Sequence, residues 1–373
     1  MTSIGGAEMV DWNLAVATAT RLVRPGPEVS RDEARAVVAE LRRHAKASER
    51  HVRGFTRMGT DDIHDTPILV VDRPGWVRAN VAGFREVLKP LLDKMQERRG
   101  NTPGGAVFGA VGGKVTGVEL GMLLSFLSSR VLGQYETFAP ATRELPAGAK
   151  GGRLLLVAPN IVHVERELDV QPHDFRLWVC LHEETHRTQF TAVPWLRDHL
   201  EGEIQSFLGE TEVDPMTVLE RIREAAQSLA GGRPEGEEDD EGRSLVEIVQ
   251  TPAQREILGR LTAVMSLLEG HADFVMDGVG PDVVASVAEI REKFQQRRAK
   301  GASRLDSALR KLLGLDAKLR QYRDGERFVR AVVEQVGMDG FNRVWTSPNT
   351  LPTKTEIAKP ADWVARVHRK TES

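Results

Sequence analysis

The chain has 373 residues, room for one large or two ordinary domains, and 40% hydrophobic with 28% charged residues is an ordinary globular composition. Its 51 basic and 54 acidic side chains leave a formal charge of -3, which gives no electrostatic reason to expect nucleic acid or an anionic membrane as partner. Cys180 is the single cysteine, so no intramolecular disulfide can form, and Glu8 and Asp11 precede any basic residue without a continuous apolar core, unlike a signal peptide; the chain reads as cytoplasmic.

Helix signals dominate. Ser30-Arg31-Asp32-Glu33 has the form of a capping box ahead of an Ala/Val/Leu-rich run to about Arg50, and a second helix is expected from Arg78 to Arg99. Between them Pro67-Ile68-Leu69-Val70-Val71, closed by Asp72-Arg73-Pro74-Gly75, predicts a strand and a turn. Gly105, Gly109, Gly113, Gly117 and Gly121 recur at every fourth position, which on a helix makes a strip without side chains. Because glycine costs roughly 1 kcal/mol per helical site relative to alanine, the strip needs a closely packed partner. Lys114, Glu119 and Arg130 interrupt any transmembrane-length stretch. Gly113-Lys114 is no phosphate-binding loop, since Phe108 stands where a glycine is required and Val115 where a hydroxyl is.

Arg153 to Val157 and Ile161 to Glu165 predict two strands, or one interrupted at Ala158-Pro159-Asn160. A buried helix should follow, capped near Asp174 after Pro172 and running through Phe175 to Leu181 into a pair of histidines. The acidic, glycine-rich residues 231–243 read as a mobile loop. Thr251-Pro252-Ala253-Gln254 combines a capping box with proline at the first helical position, launching a helix to about Asp277. Further helices are expected over 281–299, 303–321 and 324–336. The tail from Trp345 to Val367, with Pro348, Pro352 and Pro360, reads as an extended strap packed on the surface. The fold class is thus mainly α with a small β-sheet.

The chemistry centres on His182-Glu183-Glu184-Thr185-His186. Four positions apart on a helix, His182 and His186 project from one face, and both imidazoles can reach one Zn²⁺ at about 2.0–2.1 Å. Glu183, one step round, is placed to act as general base on a metal-activated water. A catalytic site needs a third protein ligand. A third histidine six residues after His186 is excluded, because Ala192 stands there and Gln189 replaces the accompanying glycine. The better candidate is Glu269, whose partner Asp273 lies four residues on, sharing its face and able to hold the free ring nitrogen of His182 or His186. Gly270 would keep the backbone clear beside the ion. His271 is the rival ligand, but it points about 200° round the helix from Glu269. Glu201 and Glu203 sit in a polar stretch that reads as surface. Cys180, in an apolar run without a basic neighbour, is not a nucleophile. Tyr322 is the first choice for the donor that stabilises transition-state charge, with Tyr135, His271 or an arginine as alternatives.

His182 to Phe190 (HEETHRTQF), Leu267 to Asp277 (LLEGHADFVMD) and Asn342 to Pro352 (NRVWTSPNTLP) resemble an actinobacterial family of zinc-dependent metalloproteases, also labelled as hydrolases associated with deazaflavin-coenzyme biosynthesis. The resemblance covers most of the chain. It implies a zincin-like, mainly helical fold with His182, His186 and Glu269 on zinc and Glu183 as base, and no bound deazaflavin. The Glu269/Asp273 spacing resembles the downstream glutamate helix of gluzincins, although His186 and Glu269 are 83 positions apart (269 minus 186), a longer gap than is usual there. The chain is accordingly expected to have a helical N-terminal region at 1–150, packed on a catalytic region at 151–373. It should be a zinc hydrolase acting on a peptide or small amide. The alternative from another class is a non-catalytic scaffold or interaction protein stabilised by zinc.

Overall fold

The computed structural model describes residues 10–59, 66–99, 105–139, 152–210, 251–300 and 315–369. Several helix starts coincide with side chains able to satisfy the backbone N–H groups that a first turn leaves without partners. Asp11 accepts from the Leu14 N–H ahead of α1 (Trp12–Leu22), and Ser30 from the Glu33 N–H ahead of α2 (Arg31–Thr56). α3 (Arg73–Arg99) and α4 (Gly105–Ser128) follow, then α5 (Ala158–Leu168), α6 (Pro172–Ala192), α7 (Pro194–Gly209), α8 (Pro252–Val279), α9 (Val287–Lys300) and α10 (Leu315–Phe341). The residues form two compact units, Met1–Arg197 with His271–Arg297, and Asp198–Gly270 with Arg298–Ser373. The acidic stretch 231–243 lies outside the described residues.

In the first unit, β1 (Ile68–Val71), β2 (Gly133–Glu136) and β3 (Arg153–Val157) make a sheet of order β1-β3-β2. β1 runs parallel to β3 with Leu69 opposite Leu155, and β2 antiparallel with Tyr135 opposite Leu154. The sheet therefore joins residues from both sides of position 150. β3 is apolar from Leu154 to Val157 because both its faces are covered. Leu154 and Leu156 pack with Leu41, Ala45 and Val52 of α2 and Phe175 and Val179 of α6. Leu155 and Val157 pack with Trp12 and Ala19 of α1, Trp76 and Val77 of α3 and Leu124 of α4. Gly117 and Gly121 of the glycine strip make a helix-packing surface: a Cβ on Gly117 would lie 2.6 Å from the Asp11 carbonyl oxygen, and one on Gly121 2.7 Å from that of Ala15. Two backbones this close leave no room for a side chain, the compensating contact the helix requires.

Two expectations in this unit are corrected. Ile161–Glu165 is not a strand but part of α5, where Ile161, Val164, Glu165 and Leu168 are buried at helical spacing. Pro159 sits in the first turn, where its fixed φ and missing N–H suit a helix. The buried Asn160 anchors that turn, donating to the carbonyls of Ser128 (2.8 Å) and Val131 (2.6 Å) and accepting from Arg73 Nε at 2.6 Å. Asp174 is likewise no N-cap; α6 starts two residues earlier at Pro172, and the Asp174 carboxylate accepts from the Ser286 N–H and hydroxyl at 2.8 and 2.7 Å.

The second unit holds the capping box foreseen at Thr251. Its hydroxyl accepts from the Gln254 N–H at 3.0 Å, and the Gln254 side chain accepts from the Thr251 N–H at 2.9 Å. Gly270 has a different use from the one expected, since its Cα faces the backbone of Gly325 and Glu326, so this glycine lets α8 and α10 cross in contact. The C-terminal tail is also not an extended strap. It folds into two 3₁₀ turns (Asn342–Trp345, Pro348–Thr350), α11 (Lys354–Ala358) and α12 (Pro360–Arg369). Pro348 and Pro360 open helical turns instead of preventing them. Trp363 is fully buried and donates to the Thr350 carbonyl at 2.8 Å. Arg366 clamps the turn through the carbonyls of Asn349 and Leu351 and the Glu356 carboxylate. Among the described residues no helix is long and apolar enough to cross a membrane.

Candidate metal centre

α6 lies against β2 and β3 and carries the histidines in its second half. Phe175, Leu177, Trp178, Val179, Cys180 and Leu181 bury its first half, and Pro194 stops it, as proline disfavours helical geometry in the residue before it. The Nε2 atoms of His182 and His186 face one another at 3.2 Å. Two nitrogens bound at about 2.05 Å and a tetrahedral angle would be about 3.3 Å apart, so the pair already has the separation that one shared ion requires.

The other ring nitrogens are turned to different partners. His186 Nδ1 is 3.0 Å from Gln189 Oε1, which can only accept. His182 Nδ1 is 3.0 Å from the Met276 thioether sulfur and 3.8 Å from Asp273 Oδ1, an ion-pair distance but too long for a hydrogen bond. With both Nδ1 atoms turned to other partners, the two Nε2 atoms face a common point that a cation can occupy. The donor set fits a divalent metal.

Glu269 rides on the same unbroken helix as His271, Asp273 and Met276, one turn before Asp273. Glu269 is half-buried, as are His182 and His186. His271 lies two residues further along the helix. It is completely buried, and its Nδ1 accepts from Gln189 Nε2 at 3.0 Å. Burial first, and then the neighbouring His186, pushes the His271 imidazole down to about 3, so the ring is neutral.

Glu183 is buried between α6 and the start of β2. A Cβ on Gly133 would stand 2.5 Å from Glu183 Cγ, so the absence of a side chain at Gly133 makes the space that Glu183 occupies. Glu184 points elsewhere, pairing with Arg187 at 3.1 Å, while Arg187 also reaches Glu49 of α2 at 3.7 Å. Burial is the largest influence on the Glu184 carboxyl and pushes it up to about 7 against the pull of Arg187.

Tyr135 stacks on Phe190 with ring centres 5.5 Å apart, and its hydroxyl, raised to about 12 by burial, adjoins Gly152. The side chain of Tyr322 lies outside the described residues. Cys180 is fully buried with its thiol pushed well above the ordinary value by burial, which leaves it inert. Glu201 is exposed, and Glu203 is paired with Arg260 at 2.9 Å. Sequence reasoning missed Gly133 and the structural use of Gln189. The second had a readable signal, since a buried polar residue three positions after His186 shares its face.

Paired imidazoles on successive turns of a buried helix that lies against a small sheet suit a mainly helical metal-binding protein. The chain belongs to the zincin-like metallopeptidase family, whose model matches residues 10–364. It is similar to a solved structure described as "a putative hydrolase with a novel fold" from Chloroflexus aurantiacus, at 30% sequence identity and a TM-score of 0.67, over 96% of this chain and 99% of that one. No curated protein matches it.

Proposed function

We propose that this protein is a zinc-dependent hydrolase of the peptidase type, with His182, His186 and Glu269 as metal ligands and Glu183 as general base. The observation that carries the reading is the facing of the two Nε2 atoms at 3.2 Å with both Nδ1 atoms turned to other partners. Asp273, one turn from Glu269, adds negative charge near His182. Zinc held there supplies a Lewis acid that polarises a carbonyl and lowers the pKa of water toward about 7. Glu183 takes the proton of the attacking water and returns it to the departing amine. Its burial against Gly133 restricts the carboxylate to a narrow range of positions. Among the described residues β2 is an edge strand beside Glu183, and an extended peptide can add to such an edge through main-chain hydrogen bonds, which favours a peptide over a small amide. A lone buried cysteine suits a reducing compartment, and we place the protein in the cytoplasm.

The test is metal analysis of the purified protein and of its His186→Ala and Glu183→Gln variants, together with mass-spectrometric search for cleavage in a peptide mixture. Wild type should hold one zinc and cleave peptides, with activity lost to chelator and restored by zinc. His186→Ala should lose the metal; Glu183→Gln should keep it and lose turnover by at least about 10²-fold. A Glu183→Gln variant of full activity, or a wild type without zinc, overturns the reading. Retained metal with no cleavage by any variant identifies a scaffold.

A further inference from the structure

Away from His182 and His186, a second group of metal-ligating side chains gathers where α6 begins. Glu40 and His44 stand four residues apart on α2 and so project from one face, and His173 comes to them from the first turn of α6. Glu40 Oε1 lies 3.3 Å from His44 Nε2 and 2.9 Å from His173 Nδ1, and one ligand atom from each of the three residues lies within 4.8 Å of the others. Two donors bound at about 2.0–2.1 Å in tetrahedral geometry stand about 3.3 Å apart. The two imidazole rings are 4.6 Å apart between centres and inclined at 75°. A cation can enter between them with a small turn of His173, whose side chain is 67% exposed, whereas those of His44 and Glu40 are 10% and 17% exposed. The other oxygen of Glu40 is already taken. Arg176 Nη1 donates to Oε2 at 2.5 Å, and Arg176 also donates to both oxygens of Glu165. That guanidinium orients the Glu40 carboxylate with Oε1 toward the imidazoles, as the hydrogen-bond partners of metal-ligating carboxylates do. Glu40 and Glu165 share it, so the cluster holds one carboxylate more than it holds guanidinium groups, a balance that favours a cation.

We propose that Glu40, His44 and His173 form a second divalent-cation site, separate from the histidine pair, that fastens the first turn of α6 to α2. Two nitrogens and a carboxylate oxygen suit an ion of borderline softness such as zinc. His173 precedes His182 by nine residues (182 minus 173), about 14 Å along the axis at about 1.5 Å per residue, so the two places cannot share an ion. The second site fills whether or not His182 and His186 bind a metal. Its use is mechanical. α6 starts without a side-chain cap, and an ion bridging to α2 anchors the free end of the helix that carries His182 and His186. With three protein donors and His173 open to solvent, the site exchanges its ion and fills when zinc is added, instead of retaining a resident ion through purification.

The test is zinc titration of full-length His186→Ala, which removes half of the histidine pair, and of the double variant His173→Ala/His186→Ala. Binding is followed by calorimetry, and the histidine ring-proton signals by NMR. His186→Ala should bind one zinc, with the ring signals of His44 and His173 shifting while those of His51, on the same helix, stay in place. The double variant should bind that zinc at least about 10-fold more weakly. Zinc should raise the melting temperature of His186→Ala and leave that of the double variant nearly unchanged, because an ion held only by the folded chain stabilises it. His173 is exposed, so its loss should not unfold the protein. Should the alanine variant fail to fold, His173→Gln keeps a polar side chain at the position and should lose the ion equally. A His186→Ala protein that takes up no zinc overturns the site and leaves a hydrogen-bonded cluster. Equal zinc affinity with and without His173 overturns it too, as does binding that leaves the His44 and His173 signals unmoved.

Discussion

Alanine at Gly133 is the sharpest perturbation of the proposed base that leaves every proposed metal ligand in place. The added methyl would lie 2.5 Å from Glu183 Cγ, 2.6 Å from Cδ and 2.8 Å from Oε1. Carbon atoms settle at about 3.5–4.0 Å, so the Glu183 side chain must retreat by roughly 1 Å. Gly133 is not in the left-handed region, so its backbone accepts alanine without strain and the effect is confined to that contact. A misplacement of about 1 Å costs on the order of 10²-fold in rate, or about 2.7 kcal/mol of activation free energy. Overpacking costs about 1–3 kcal/mol of stability, within the roughly 5–15 kcal/mol a folded protein commands. Gly133→Ala should therefore stay folded and zinc-loaded while kcat/KM on a cleaved peptide falls about 100-fold. The measurements are kcat/KM, the zinc-to-protein ratio and a thermal melt of the same preparation. Wild-type kcat/KM in a folded, zinc-loaded variant would refute the assignment of Glu183, and a parallel loss of zinc would show that the methyl acts on the histidines instead.

Two further outcomes follow from packing and charge. Gly54 in α2 has open space around it, so Gly54→Ala should stabilise by about 0.5–1 kcal/mol through helix propensity alone. Gly121→Ala meets the Ala15 carbonyl oxygen and Thr18 Cβ, both at 2.7 Å, so a clash costing about 1–3 kcal/mol should outweigh the same gain. Calorimetric melts should show shifts of opposite sign, and equal signs would refute the close crossing of α1 and α4. Burial raises the Glu356 carboxyl, but hydrogen bonds from Arg366 and Thr353 outweigh it and hold the group below 4.5. A depressed carboxylate stabilises the fold above its unfolded value and loses that contribution as pH falls through its folded value. The advantage of wild type over Arg366→Met, about 1.5–3 kcal/mol for charge-assisted hydrogen bonds, should thus be full above pH 4.5 and shrink below it. A difference in melting temperature that does not change across this range would contradict it.

Local chemistry made much of this protein legible from its residues. The caps at Ser30 and Thr251, the apolar runs that became β1 and β3, and the four-residue spacing of His182 and His186 each depend on neighbours within a turn or a strand, where backbone geometry alone sets which atoms meet. The glycine strip of α4 announced that some backbone must come close, without saying which. Where a segment's state depends on what covers it, sequence reasoning failed. Ile161–Glu165 has a strand's composition but is a helix because its apolar side pairs at helical spacing with the core behind β3. The tail's prolines start turns that Trp363 and Arg366 hold in place from residues up to 17 positions away. Gly270 serves α10, which no local pattern could name. Tertiary structure alone decided that Gln189 and His271, 82 residues apart, share a hydrogen bond, and that Gly133 gives Glu183 its space. Helical and strand periodicity constrain atoms a few residues apart, whereas contacts between distant segments are chosen by packing, in which volume and hydrogen bonds must be satisfied all at once.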